Sequence, residues 1–263
     1  MDKKIVFFDI DGTIYSYDKG MPEDTFYAIQ KLKQNGHIPV ICTGRTKCMI
    51  YPSHMAPGFD YIVAGAGTYV EVAGKEIYYS RLGHSQIEEL SDILNRNGFV
   101  EIGEGKDYLY LGTGSKELTG ELKKIRDVYQ KEMGDKIKVF GDKNMEISKV
   151  SGFMCPDANV KGAIRDGIKN YQMVNHKNCL LEFIPKGEGK AGGMKRMIQF
   201  LEISKENVYA FGDSLNDKEM LEFANVSIVM GNGDNEMKKI ADYVTDPFDQ
   251  GGIYNALKKF RLI

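Results

Sequence analysis

No two cysteines in this chain stand at C-x-x-C spacing. Cys42, Cys48, Cys155 and Cys179 therefore offer no zinc or redox motif and read as reduced thiols packed as small hydrophobes. An excess of charge of either sign is also missing. The net charge is -2, which leaves no bulk electrostatic reason to expect nucleic acid or an anionic membrane as a partner. No stretch reaches the roughly 18 consecutive apolar residues of a membrane span. The opening Met1-Asp2-Lys3-Lys4 leads into an apolar run that holds Asp9 and Asp11, which a secretory signal would not tolerate, so the expected location is the cytoplasm. His37, His54, His84 and His176 are scattered without metal-ligand spacing. Internal repeats and low-complexity tracts are absent. What remains is ordinary globular material: 263 residues, 42% hydrophobic and 27% charged, enough for one large or two modest domains with a real core.

The grammar of the chain changes twice. Ile5–Phe8 is a continuous β-branched and aromatic run, as in a strand buried on both faces. Pro22 suits a helix start, Phe26, Ile29 and Leu32 recur at helical spacing, and Gly36 is a stop. Ile38–Cys42 and Tyr61–Ala64 are the next strands, and the alternation predicts a parallel sheet with crossover helices. Tyr69–Val72 and Glu76–Tyr79 flank Ala73-Gly74-Lys75 as a hairpin. From about Gly83 the pattern becomes mixed. A helix at Ile87, Leu90 and Leu94 precedes short strands near Phe99–Ile102 and Tyr108–Leu111. A helix over Glu117–Lys131 follows, then an extended Ile147–Cys155, a helix over Asp157–Lys169, and paired strands at Tyr171–Asn175 and Leu180–Ile184. Pro185-Lys186-Gly187 reads as a boundary. The first pattern then resumes, with helices at Lys190–Leu201 and Asp217–Ala224 and strands at Val208–Phe211 and Ser227–Met230. The expected architecture is α/β: a Rossmann-like parallel-sheet core over residues 1–82 and 186–263, with an α+β module inserted at 83–185.

Chemistry-bearing side chains cluster where strands end. Asp9 and Asp11 follow the first strand, and residues two apart on an extended segment share a face. One carboxylate can attack phosphorus as a nucleophile, and a second can move protons to and from the leaving oxygen. Gly12 lets backbone N–H groups approach an anion closely. Thr43-Gly44-Arg45 ends the second strand. Thr43 can donate its hydroxyl to a phosphoryl oxygen or cap a helix, and Arg45 can face phosphate or solvent. Lys190 opens a helix after Lys186-Gly187-Glu188-Gly189 and offers a point charge for phosphate. Ala191 follows it, so this is not a Walker loop. Asp213 and Asp217 flank Ser214-Leu215-Asn216 after Val208–Phe211 and supply hard oxygen ligands of the kind Mg²⁺ takes. Gly65-Ala66-Gly67 and Gly231-Asn232-Gly233 read as turns rather than dinucleotide fingerprints.

Taken together, Asp9–Thr13, Thr43, Lys190 and Gly212–Asp217 resemble the four ordered motifs of the haloacid dehalogenase-like hydrolase superfamily. The long insert resembles the Cof-type subfamily with its type IIB cap. The resemblance implies a phosphatase that forms an aspartyl phosphate. Asp9 would be nucleophile and Mg²⁺ ligand, and Asp11 acid/base and main-chain metal ligand. Thr43 and Lys190 would hold the phosphoryl group, Asp213 would ligate the metal, and Asp217 would support the lysine and metal waters. Gly12, Thr13, Gly44, Arg45 and Asn216 would line the substrate. The substrates implied are small phosphorylated metabolites, such as sugar phosphates or pyridoxal 5′-phosphate, with selectivity in the insert. A phosphomutase and a non-catalytic phosphometabolite binder are the alternatives. One departure is visible: the family often has Asn-Gly-Ala where this chain has Ala64-Gly65-Ala66, which puts one polar contact in doubt.

Overall fold

The structure, a computed structural model, describes residues 3–112, 120–176 and 180–263. It divides into two compact units. The first holds Met1–Gly44, Ile50–Tyr78 and Gly189–Ile263, and the second Arg45–Met49 and Tyr79–Glu188.

The first unit is built on an eight-stranded sheet. Its strands are β1 (Ile5–Phe8), β2 (Ile38–Cys42), β3 (Tyr61–Ala64), β4 (Tyr69–Val72), β5 (Lys75–Tyr79), β12 (Val208–Gly212), β13 (Val226–Val229) and β14 (Tyr243–Val244). Their spatial order is β14-β13-β12-β1-β2-β3-β4-β5, parallel from β14 to β3, with β4 antiparallel to β3. Each face of the sheet carries its own core. Val6 and Phe8 of β1 pack with Ala28, Ile29 and Leu32 of α1 (Glu23–Gln34) and with Ile253, Ala256 and Leu257 of α9 (Gly252–Lys259). Ile5 and Phe7 point the other way. They join Met194 and Met197 of α6 (Lys190–Phe200), Met220 and Leu221 of α7 (Lys218–Phe223) and Met237 of α8 (Asn235–Ile240). Burial on both faces is why β1 reads as an unbroken apolar run rather than an alternating one. Phe8 stacks on Phe211 of the adjacent β12 with ring centroids 4.9 Å apart, so two neighbouring strands are locked just before they end.

The second unit is built on the strands β6 (Phe99–Glu104), β7 (Leu109–Leu111), β8 (Ile137–Val139), β9 (Lys149–Met154), β10 (Tyr171–His176) and β11 (Leu180–Pro185). They form a six-stranded sheet in the order β10-β11-β9-β6-β7-β8. Leu90 and Leu94 of α3 (His84–Arg96) and Ala163 of α5 (Val160–Gly167) pack with Phe99, Val150, Leu181 and Phe183 to form its apolar core. A helix α4 (Gly120–Met133) precedes β8, and a four-residue α2 (Pro52–Met55) lies in the first unit.

The sheet-and-helix architecture is the α/β one expected, and three local differences have physical causes. β8 was not anticipated, because Ile137-Lys138-Val139 is too short to show a period, and it pairs parallel with β7 inside an otherwise antiparallel sheet. The helix expected over Asp157–Lys169 begins only at Val160, because the Asn159 side chain accepts a hydrogen bond from the Gly162 N–H at 3.0 Å and caps it there. The helix expected from Asp217 is split into a 3₁₀ turn, Leu215–Asp217, and α7. Cys179 and the start of the helix expected at Glu117 lie outside the described residues. Cys42, Cys48 and Cys155 are buried, and no described helix is long and apolar enough to cross a membrane.

Candidate active site

Strands β12, β1 and β2 lie side by side in parallel, with Phe8 level with both Phe211 and Ile41. The chain therefore leaves the sheet on one edge at Asp9, Thr43 and Asp213. From β1 the chain runs outward to β2 and β3, then returns to β12 on the opposite flank of β1. Such a reversal of strand order opens a crevice at the strand ends.

A buried lysine organises the crevice. Lys190 Nζ donates to Asp9 Oδ1 at 2.7 Å and to Asp217 Oδ1 at 2.5 Å, and all three residues are buried. The second oxygen of Asp217 accepts the backbone N–H groups of Asp213 (3.0 Å) and Ser214 (3.1 Å), so this carboxylate also shapes the turn that carries Asp213. Lys190 is seated by a close backbone approach. Gly67 has φ +89°, and a Cβ there would fall 2.0 Å from the Gly189 carbonyl oxygen, so only glycine fits. Gly12 is constrained in the same way: φ is +79°, and a Cβ would fall 2.5 Å from Asp213 Oδ2. The loop after β1 thus lies directly against the Asp213 carboxylate.

The charges do not balance. Ligand atoms of Asp9, Asp213 and Asp217 lie within 4.8 Å of one another, facing one buried ammonium. Burial raises Asp9 well above the usual carboxylate range, with Asp217 adding to the shift and Lys190 opposing it. Burial, reinforced by Asp217, pushes Asp213 up to about 7. Burial also disfavours the charge on Lys190, but Asp217 and Asp9 outweigh it and hold the amine above the ordinary lysine range. Asp213 Oδ1 is buried with no hydrogen-bond partner. Three carboxylates, one ammonium and an orphaned carboxylate oxygen fit a hard divalent cation: the donors are all oxygen, and two positive charges would bring the group to neutrality.

The other expected residues fall as follows. Thr43 is buried; its N–H donates to the Val63 carbonyl at 2.9 Å, and its own carbonyl accepts from Ala66 N–H at 3.0 Å. Gly44 adjoins Asn216, whose Nδ2 would lie 3.9 Å from a Cβ on it; Asn216 is exposed and accepts from Ser214 Oγ at 2.8 Å. Thr13 is buried, and its hydroxyl has no partner. Asp11 is exposed, in contrast to Asp9. Arg45 is buried rather than solvated, belongs to the second unit, and donates to the Met49 carbonyl at 3.2 Å. Around Ala64 the chain turns through Gly65, Ala66 and Gly67, all at positive φ, and the backbone of Ala66 supplies the contact to Thr43 noted above. Asn232 lies in a turn that its sequence shows only as a turn. It contacts the loop after β1, and the cue was its place: Met230-Gly231-Asn232-Gly233 directly follows β13, at the same sheet edge as the other motifs.

Residues 6–257 match the family described as haloacid dehalogenase-like hydrolase, and the chain belongs to that family. Bacillus subtilis (strain 168) YkrA is 30% identical over 271 residues, covering all of both chains. The 5-amino-6-(5-phospho-D-ribitylamino)uracil phosphatase YitU of the same organism is 27% identical over 269 residues, covering 97% of each. Among solved structures, a protein from Geobacillus kaustophilus HTA426 superposes with a TM-score of 0.86 at 31% identity and full coverage of both chains. The subclass IIB sugar phosphatase BT4131 superposes with a TM-score of 0.82 at 25% identity, covering 99% of this chain and all of that one.

Proposed function

We propose that this protein is a Mg²⁺-dependent phosphatase that hydrolyses small phosphate monoesters through an aspartyl phosphate on Asp9. The observation that carries the reading is the Asp9 carboxylate, buried at the end of β1 and held through Oδ1 by a lysine that Asp217 also grips. That lysine fixes the orientation of the carboxylate and leaves an ammonium beside the place where phosphoryl charge would gather. Asp9 attacks phosphorus, the bond from phosphorus to the ester oxygen breaks, and Asp11 gives that oxygen its proton. Asp11 then takes a proton from water, which attacks the acyl phosphate at phosphorus, releasing inorganic phosphate and regenerating Asp9. The exposure of Asp11 suits a group that must meet first the leaving oxygen and then the attacking water. Asp9, Asp213 and the main-chain carbonyl of Asp11 would hold Mg²⁺, which when bound supplies charge neutralisation and polarisation of the phosphoryl oxygens. Thr43, Gly12, Thr13, Gly44 and Asn216 are assigned to the phosphoryl oxygens, and Arg45 to the substrate.

The substrate class proposed is small phosphorylated metabolites, sugar phosphates or cofactor phosphates. A ribityl-phosphate phosphatase and a sugar phosphatase among the similar proteins support it. Selectivity among leaving groups is assigned to the insert, 83–185. The test is phosphate release from a panel of phosphorylated metabolites, in Mg²⁺ and in EDTA, with Asp9→Asn alongside. Metal-dependent release that falls by on the order of 10³-fold or more in the variant is expected. Substantial turnover by Asp9→Asn would overturn the covalent route, an isomeric phosphate product would make the enzyme a mutase, and ligand binding without turnover would make it a binding protein.

A further inference from the structure

The turn after β13 is tied to the Gly12 loop, the Asp213 loop, the 246–248 stretch and Lys238 of α8, and its asparagine makes two of the ties. Asn232 Nδ2 donates to the Gly12 carbonyl at 2.8 Å, and Asn232 Oδ1 accepts from the Phe248 N–H at 2.9 Å. The backbone on either side of Asn232 is fixed independently. Gly231 N–H donates to the Asp246 carbonyl at 3.1 Å, and Lys238 Nζ donates to the Gly231 carbonyl at 2.6 Å. Asp234 N–H donates to the Asp213 carbonyl at 2.7 Å, and a Cβ on Gly233 would lie 2.7 Å from that same oxygen. The turn is thus anchored on the main chain of Asp213, and its one long side chain reaches across to the main chain of Gly12. Those are the two residues whose loops press together, Gly12 against the Asp213 carboxylate.

We propose that Asn232 is a positioning residue: a strut that sets the distance between the nucleophile loop, Asp9–Thr13, and the Asp213 loop. The inference rests on the phosphatase reading of the site. Asn232 is exposed and its side chain hydrogen-bonds to Gly12 and Phe248 rather than to Asp9 or Asp213, so it is assigned no part in the chemistry itself. A side-chain amide at this place is required twice over, a donor for Gly12 and an acceptor for Phe248, which aspartate, an acceptor only, and leucine cannot both supply. Losing the two hydrogen bonds of an exposed side chain costs modest stability, whereas a nucleophile displaced by a fraction of an ångström loses rate steeply.

The experiment uses the full chain with Asn232→Ala and Asn232→Leu, both of which leave the net charge unchanged. Asn255→Ala is the control: Asn255 Nδ2 donates to Asp246 Oδ2 at 2.8 Å, so its loss loosens the same 246–252 loop without touching Gly12. Two quantities are read: Mn²⁺ binding to the substrate-free protein by electron paramagnetic resonance, and kcat and KM separately for the best ester of the panel. Expected for both Asn232 variants are Mn²⁺ binding weakened about five- to thirtyfold and kcat lowered about ten- to a hundredfold, with KM within about threefold of wild type. Asn255→Ala should stay within about twofold of wild type in both. Asn232 variants that match the control in Mn²⁺ binding and kcat would overturn the proposal. So would a KM change with kcat intact. If one Asn232 variant does not fold by circular dichroism, the other decides. Wild-type release that is lost in Asp9→Asn keeps the phosphatase reading standing whichever way the Asn232 result falls.

Discussion

Among the described residues, two lysines are buried between pairs of carboxylates, one in each unit, and the two arrangements end in opposite electrostatic states. In the first unit Lys190 bridges Asp9 and Asp217 at 2.7 and 2.5 Å. In the second, Lys149 of β9 bridges Glu104 of β6 at 3.1 Å and Glu182 of β11 at 2.9 Å. Burial opposes both ammonium charges, and both are held above the ordinary lysine range by their carboxylates. The difference lies in the surroundings. The second group is completed by protein. Ser151 Oγ donates to Glu104, and His176 Nε2 lies 3.4 Å from Glu182 Oε1. Burial still lifts Glu104, but at Glu182 Lys149 and His176 overcome burial and bring the carboxyl down to about 2. The first group is left incomplete: Asp213 joins it with an oxygen that nothing satisfies. A buried ion cluster that its own side chains close has the character of a structural one, and one that lacks a positive partner has room for a further cation.

The largest expected effect separates the two lysines by function. Lys190→Met should lower kcat for a simple aryl phosphate on the order of 10³-fold, because Asp9 loses the group that orients it and the phosphoryl charge loses its fixed cation. Lys149→Met should instead cost about 3–5 kcal/mol of stability in urea unfolding, as expected for a buried pair robbed of one partner, while kcat per folded molecule stays within about threefold. Adding Glu104→Gln and Glu182→Gln to Lys149→Met should recover most of that stability, since the uncompensated charges go with the lysine. A thousandfold loss of kcat in Lys149→Met, with the protein folded, would give Lys149 a part in the chemistry.

A second prediction exploits the missing positive charge. Asp213, at about 7 in the folded protein against an ordinary 3.8, binds its proton more tightly when folded. The cation-free protein should therefore lose stability as pH rises from about 4 through 7, and above that range carry the full penalty of a buried, unpaired carboxylate. Asp213→Asn should stabilise the metal-free protein at pH 8 by about 1–3 kcal/mol and have little effect at pH 5, where the native carboxyl is still protonated. Mg²⁺ should raise the melting temperature of the wild type at pH 8 and not that of the variant, and activity should vanish in the variant. Equal metal-induced shifts in the two proteins would remove Asp213 from the cation site.

The two clusters also differ in how far they could be read from the chain. Asp9, Thr43 and Asp213 each follow a short run of apolar residues, and in a parallel sheet consecutive strand ends lie on one edge, so a local pattern sufficed to bring them together. Asp217 was foreseen as the support for Lys190; its two bonds to the Asp213 and Ser214 amides were not, because they depend on a 3₁₀ turn with no periodic signature. The Lys149 cluster was illegible. Glu104, Lys149 and Glu182 look like solvent-facing charges in mixed strands, and they meet only because β6, β9 and β11 pair in a register that sets Glu104 opposite Lys149 and Glu182 opposite Ser151. Such pairing is non-local, and one residue of slip would send every one of these side chains to the other face. Asn232 escaped for a related reason: a glycine-flanked turn is legible as a turn, but its partners Gly12 and Phe248 are not in its own sequence.

The smallest effect expected tests whether the second cluster is as closed as the comparison claims. His176 is raised above its ordinary 6.5, first by its hydrogen bond to Glu182 and then by the Glu182 charge, against a burial effect that lowers it. A raised histidine stabilises the fold fully below its unfolded value of about 6.5, and that contribution disappears as pH climbs through the folded value. Because 41% of the His176 side chain remains exposed, water screens the pair and the contribution should be only about 0.3–1 kcal/mol. Urea unfolding of wild type and His176→Gln at pH 5.5 and pH 9 reads it directly. The wild type should be the more stable at pH 5.5, and the gap should close at pH 9. A gap that instead widens with pH would mean that neutral His176 is the better partner for Glu182. Lys149 would then already suffice for both glutamates, and the second cluster would hold no place for a further positive charge, which sharpens its contrast with the carboxylates around Lys190.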